Sequence, residues 1–263
     1  MEQTYTSSRA YKKSWFDGRT LIIIFLCIAL VVSIILNLDI VSILFKAKRY
    51  DKYLRQQETI KNEKGFDALK QTNDDFVAWL KSEDVFISLP IVKTSSSDDE
   101  KFYLSHAFNK SSNPLGIPYQ TKNTMIGQTD NTCIACTSSL TVKFFKKVTT
   151  YSLFSNLASY LSSDNNFTNT FSIETIEGTN TYQIMSAYSF NINNDYSDKY
   201  SPFLYSNFGN PERFNEFYNT AKKYSVKDFG VDAEYGDKFV TLLSTNTLDL
   251  DYRIIIIAKQ ISH

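Results

Sequence analysis

A surplus of charge of either sign, glycine, histidine and cysteine are what this chain lacks. Lysine plus arginine equals aspartate plus glutamate at 28 each, so net charge gives no case for a nucleic-acid partner. Three cysteines, Cys27, Cys133 and Cys136, do not make a disulfide framework. Cys133 and Cys136 form a C-x-x-C, but a metal site needs four ligands and no second pair exists. A thioredoxin-like motif would open a helix, whereas this one ends an apparent strand. In a strand, residues three apart face opposite sides about 10 Å apart, beyond the ~7 Å between Cα atoms that a disulfide spans. The expectation is two separate small apolar residues, with no metal and no cofactor. Eight glycines against 17 tyrosines and 20 phenylalanines suit a β-rich globular domain.

At 263 residues the chain can hold one domain of about 200 residues plus an anchor. The anchor is the charge-free run Thr20 to Leu38, TLIIIFLCIALVVSIILNL. At 1.5 Å per residue it spans about 28 Å, enough to cross a bilayer core. Core helices seldom stay apolar on every face for so many turns. A cleaved signal peptide would have a shorter apolar run and a small-x-small site after it, where Asn37 and Asp39 stand instead. One retained transmembrane helix within 20–45 is expected, after a short polar tail, 1–19. Arg9, Lys12, Lys13 and Arg19 precede the run and Lys46, Lys48, Arg49, Lys52 and Arg55 follow it, so charge alone does not orient it. Residues 46–64, KAKRYDKYLRQQETIKNEK, are good helix formers. They predict a charged stalk helix whose thin apolar stripe, Tyr50, Tyr53, Leu54 and Ile60, packs loosely.

Beyond residue 65, Phe66 to Leu80 has helical spacing interrupted near Asn73, which can cap a new turn, and Trp79 is expected in the core. Tyr151 to Leu161 predicts a short amphipathic helix, and Phe171–Glu177 and Thr181–Phe190 predict strands. Pro211 to Ser225 carries proline and glutamate in its first turn, Phe214, Phe217 and Tyr218 on one face, and lysines near its end, which predicts a helix. Phe239–Ser244 and Arg253–Lys259, the latter with Ile254 to Ile257 in a row, have the length and β-branched content of buried strands. A turn-rich link from Thr245 to Asp251 joins them.

Thr241-Leu242-Leu243-Ser244-Thr245, with Arg253 and Ala258-Lys259 beyond the link, resembles the C-terminal end of class B sortases, membrane-anchored cysteine transpeptidases of Gram-positive bacteria. In that family a strand of the kind T-L-S-T-C delivers the nucleophile and an arginine opens the next strand. Asn246 stands at the cysteine's position. Asn131 to Ser139 is similar to the family's N-x-x-I-Y-G-H-N-M, and alignment on Asn131 and Ile134 puts Thr137 at the histidine and Ser138 at the following asparagine. Phe102 to Phe108 resembles Y-Y-L-x-H-D-F, where the histidine is not catalytic, so His106 reads as a satisfied structural residue. The helix from Pro211 sits where the family carries one that helps set its substrate groove. The resemblance covers about residues 50–263.

The resemblance implies a mainly β (α+β) fold, a sortase-like barrel of seven or eight strands with flanking helices, preceded by one N-terminal transmembrane helix. It further implies a cytoplasmic tail at 1–19, a membrane anchor at 20–45, the stalk at 46–64 and an extracytoplasmic domain at 65–263 of a single-pass cell-membrane protein. A sortase needs a thiolate nucleophile, a histidine to protonate the leaving amine and an arginine to steady the oxyanion. Asn246 and Thr137 can do neither of the first two tasks. The expected function is a catalytically inactive homologue that binds a sorting-signal-like peptide or another envelope protein through Arg253, Thr245 and Ser138. Two alternatives stand beside it: a thiol enzyme that uses Cys136 as a replacement nucleophile, and an envelope protein that keeps the fold for structure alone. Arg253 is equally readable as a donor to a peptide carbonyl and as a strand-end arginine paired with Asp249 or Asp251.

Overall fold

The computed structural model describes residues 18–94, 101–144, 147–163, 165–194 and 196–262, and not the side chains of 34–41, 43, 44, 143, 144, 147, 196–198 and 262. Most of the polar tail at 1–19 therefore lies outside the described residues. The chain divides into two compact units, Met1–Phe45 and Lys46–His263. Helix α1 runs Gly18–Thr72, and in the first unit its apolar side chains, among them Ile22, Phe25, Leu26 and Leu30, are exposed. Among the described residues no helix is long and apolar enough to cross a membrane, and part of the Thr20–Leu38 run lacks described side chains.

In the second unit α1 breaks at Gly65, whose φ of 77° is in the left-handed region that glycine enters without steric cost. The strands that follow are β1 (Phe76–Ser82), β2 (Ile87–Val92), β3 (Tyr119–Gln120), β4 (Asn131–Cys136), β5 (Leu140–Phe144), β6 (Lys147–Tyr151), β7 (Thr170–Thr175) and β8 (Gly178–Asn191). Helices α2 (Tyr196–Leu204) and α3 (Pro211–Tyr224) lead to β9 (Phe239–Thr245) and β10 (Tyr252–Ser262). Eight strands close a barrel in the order β1-β2-β3-β4-β9-β10-β8-β7, and β5 and β6 form a separate hairpin. β4 runs parallel to β9, and β10 lies antiparallel between β9 and β8.

The run Ile254 to Ile257 divides between two cores. Ile254 and Ile256 join the barrel interior with Ile134 and Leu242, while Ile255 and Ile257 join an outer cluster with Phe214, Phe217 and Leu243. A strand covered on both faces reads as a continuous apolar run because neither side meets water. α3 forms as its sequence predicts: Asn210 Oδ1 accepts from the Arg213 N–H, Pro211 opens the helix, and Phe214, Phe217 and Ala221 bury one face.

Three expectations are corrected. Residues 46–64 are not a loosely packed rod. Tyr50 and Leu54 are buried in the barrel's core cluster, and Lys61 pairs with Glu174 at 2.5 Å. Trp79 Nε1 donates to Ser88 Oγ at 2.9 Å, and Ser88 Oγ donates to Glu58 of the helix at 2.6 Å. Second, Phe76 to Leu80 is strand, not helix. Asn73 closes the turn before it, accepting from the Asp75 N–H at 2.9 Å and donating to Tyr103 Oη and the Phe108 carbonyl. Because β1 buries residues on both faces, its apolar spacing carries no period of two. Third, Tyr151 ends β6, and only Ser155–Leu161 is helical, as a 3₁₀ segment.

Candidate functional site

The parallel register of β4 with β9 and the antiparallel register of β9 with β10 bring three strand ends together. Cys136 pairs with Ser244 and Thr245 pairs with Arg253, so Thr137, Asn246 and Arg253 gather at one rim of the barrel. A cleft of about 380 Å³ opens there, lined by Thr137, Arg253, Ala135, Leu243, Tyr119 and Phe203, among others. Tyr119, Tyr200 and Phe203 also line a neighbouring cleft that extends toward Lys101, Asn123 and Ser206. Together they make one groove, floored by barrel strands and walled by α2.

Arg253 is the charged group in the first cleft. Its Nη1 donates to the Leu250 carbonyl at 2.8 Å and the Tyr252 carbonyl at 3.1 Å. It holds the link's backbone, not Asp249 or Asp251. Its Nε and Nη2 have no partner among the described residues. Burial lowers its pKa, opposed by the nearby charge of Asp251, and it stays cationic at neutral pH.

Asn246 sits one residue past β9. Its backbone N–H donates to the Tyr252 carbonyl at 3.0 Å, and its Oδ1 accepts from the Leu248 N–H at 3.0 Å. The amide thus closes the turn that leads to Arg253. Thr245 is buried, its hydroxyl donating to the Thr137 carbonyl at 2.6 Å. Ser138 turns away from the groove and donates to the Leu104 carbonyl at 2.5 Å. Of the residues singled out from sequence, Thr137 and Arg253 line the cleft, Asn246 braces its rim, and Thr245 and Ser138 are held by backbone carbonyls.

Both C-x-x-C thiols are free and buried on opposite faces of β4. Cys136 lies in the barrel interior, 1% exposed, so it does not line the groove beside Thr137. Desolvation raises its pKa, opposed by a hydrogen bond from the Phe154 backbone, and the thiol is protonated at neutral pH. Cys133 faces the outer cluster, and its thiol donates to the Phe203 carbonyl at 3.0 Å. His106 Nδ1 donates to the Phe102 carbonyl at 2.7 Å and its ring stacks on Phe102, away from the groove.

Sequence reasoning missed what holds the groove wall. Asn131 is fully buried. Its Nδ2 donates to the Pro202 and Tyr205 carbonyls at 3.1 and 2.8 Å, and its Oδ1 accepts from Thr241 at 2.8 Å. Tyr188 Oη adds a bond to the Lys199 carbonyl at 2.8 Å. These four bonds and the Cys133 thiol fix α2 on β4, β8 and β9. α2 was illegible because Pro202 lies inside it, a signal against helix. The helix that walls the groove is α2; α3, the one the resemblance pointed to, packs with Phe203 of α2 in the outer cluster and lines neither cleft.

Comparison with solved structures decides the fold. The Bacillus anthracis sortase B in complex with AAEK1 superposes with a TM-score of 0.66 at 17% identity, covering 84% of this chain and all of that one (100%). A Clostridium perfringens sortase B matches with a TM-score of 0.59 at 22% identity, over 74% of this chain and 99% of that chain. This is the class B sortase fold. A Staphylococcus aureus sortase B–substrate complex also matches, with a TM-score of 0.61 at 19% identity over 85% of this chain and 98% of that one. No family model and no curated sequence matches the chain. The eight-stranded barrel with flanking helices is thus the sortase-like barrel that the sequence resemblance implied.

Proposed function

We propose that this chain is a catalytically inactive, sortase B-like membrane protein, a pseudosortase whose groove binds a peptide or scaffolds another envelope protein. One observation carries the reading: the groove keeps a half-buried arginine with unpartnered donors, while no thiol or imidazole among the described residues reaches it. An asparagine amide is no nucleophile at neutral pH, and a threonine hydroxyl does not titrate in a useful range. In triad enzymes, loss of nucleophile and base leaves only about 10³–10⁴-fold acceleration from oriented binding. The Arg253 donors remain able to bind a peptide carbonyl or carboxylate, an interaction worth about 1.5–3 kcal/mol.

The apolar Thr20–Leu38 run supports a single-pass anchor. Its described large apolar side chains are exposed, an arrangement that costs heavily in water and nothing in a bilayer. The domain is then extracytoplasmic, at the outer face of a Gram-positive cell membrane, in surface-protein anchoring or envelope assembly. The thiol-enzyme alternative is weakened by the burial of Cys136 and Cys133. Titration of the full chain with sorting-signal-like peptides tests the binding reading. Saturable binding that falls about tenfold or more in Arg253→Ala supports it; no binding to any such peptide or to envelope proteins favours a purely structural role.

A further inference from the structure

On another side of the second unit, a cleft of about 430 Å³ lies between α1 residues 46–53 and the loop 107–115. Its charged lining residues are Lys46 and Arg49, three apart and therefore on one helix face, and no carboxylate lines it among the described residues. Neither cation has an ion-pair or hydrogen-bond partner among the described residues.

The polar groups opposite present donors. Asn109 Oδ1 accepts from the Ser111 N–H at 3.2 Å and its hydroxyl at 2.6 Å, and Asn113 Oδ1 accepts from the Leu115 N–H at 2.9 Å. A backbone N–H can only donate, which fixes both amides with oxygen toward the loop and leaves each Nδ2 as a donor without a partner among the described residues. Tyr53 adds a buried Oη with no hydrogen-bond partner. Burial pushes its pKa up to about 12, so it too is a donor. A buried hydroxyl without a partner costs free energy that a ligand oxygen would recover.

Two cations and three unpaired donors around one concavity match a ligand with several acceptor oxygens and negative charge. We propose that this cleft binds a phosphate-bearing anion. The ligand is either a soluble phosphomonoester or the phosphodiester headgroup of an anionic lipid. The lipid source rests on the membrane-anchor reading; the soluble source does not, and neither depends on the peptide groove.

The test uses the full chain in phosphatidylcholine nanodiscs, titrated with sn-glycerol 1-phosphate and with inorganic phosphate, and compared with nanodiscs of equal parts phosphatidylcholine and phosphatidylglycerol. The readout is hydrogen-exchange protection of the 107–115 amides, with calorimetry for the soluble probes. Lys46→Gln with Arg49→Gln is expected to weaken binding about tenfold or more, because both charge-assisted bonds are lost. Lys48→Gln with Lys52→Gln removes the same charge from positions that do not line the cleft and is expected to change it less than about twofold. Tyr53→Phe should weaken binding with no change of charge. Saturation by the soluble probes with this pattern assigns a soluble phosphate, and protection confined to the phosphatidylglycerol discs with the same pattern assigns a lipid headgroup. No protection in either arm, or equal losses in the two double variants, overturns the proposal; circular dichroism of each variant excludes misfolding as the cause.

Discussion

Thr245 Oγ1 donates to the Thr137 carbonyl at 2.6 Å, tying the last residue of β9 to the first residue beyond β4. One step further along the chain stands Asn246, and across the ladder stands Arg253. The bond therefore fixes the spacing of the three rim positions, Thr137, Asn246 and Arg253, that the sequence resemblance singled out. Thr245→Val leaves a buried carbonyl short of a donor and is expected to cost about 1–3 kcal/mol in urea unfolding, with Thr245→Ser recovering most of it. A loss in Thr245→Ser with none in Thr245→Val would show that the methyl packing matters and the bond does not.

The chain Trp79–Ser88–Glu58 ties α1 to β1 and β2. Ser88→Ala strips a buried indole N–H of its partner and should destabilise by about 1–3 kcal/mol. Backbone amides of residues 50–60 should exchange as slowly as those of β1. Exchange at the rate of an isolated helix would restore the picture of a loose stalk.

How far the sequence foretold this depends on what covers each element. β9 and β10 were legible because burial on both faces leaves unbroken β-branched runs, and α3 because Asn210, Pro211 and its lysines mark both ends. The same two-sided burial disguised β1, where Phe76, Val77, Trp79 and Leu80 mimic a helical spacing. Only four large apolar residues in a nineteen-residue, highly charged segment made 46–64 look solvent-bathed, since a helix lying on a barrel needs only a narrow stripe. At the site, the resemblance singled out Thr137, Asn246 and Arg253, which the register of β4, β9 and β10 brings to one rim. The residues that clamp α2, Asn131 above all, act through backbone carbonyls of a segment distant in sequence, and no local pattern encodes that.

Both cysteines of the C-x-x-C should resist thiol reagents in the native protein and react only on unfolding, because the thiolate is the reactive form and burial opposes it. Quantitative labelling followed by peptide mapping checks this. Rapid native labelling of Cys136 would show that the barrel interior opens to solvent.

Burial pushes the Tyr160 and Tyr182 phenols up to about 12 from an ordinary value of 10.0. The folded state holds these protons more tightly than the unfolded chain does. Their contribution to stability is therefore full below pH 10 and is lost as pH rises through about 12. Tyrosinate absorbance from these residues should appear together with loss of the β-sheet circular dichroism signal. In Tyr160→Phe with Tyr182→Phe, the alkaline midpoint should move upward.

If inactivity is a local loss on an intact frame, Asn246→Cys together with Thr137→His should recover slow peptide hydrolysis, and each single change should do little because nucleophile and base act as a unit. The double variant must also keep the turn that Asn246 closes, so exchange protection at Leu248 and Tyr252 is measured alongside. Hydrolysis equal in the double variant and in Asn246→Cys alone would contradict the role assigned to position 137.

The most direct measurement is incubation of the unmodified full chain with sorting-signal peptides, followed by intact-mass spectrometry and product analysis. The account predicts no acyl-enzyme adduct and no cleavage. Turnover by the unmodified protein that disappears in Cys136→Ala would contradict it outright.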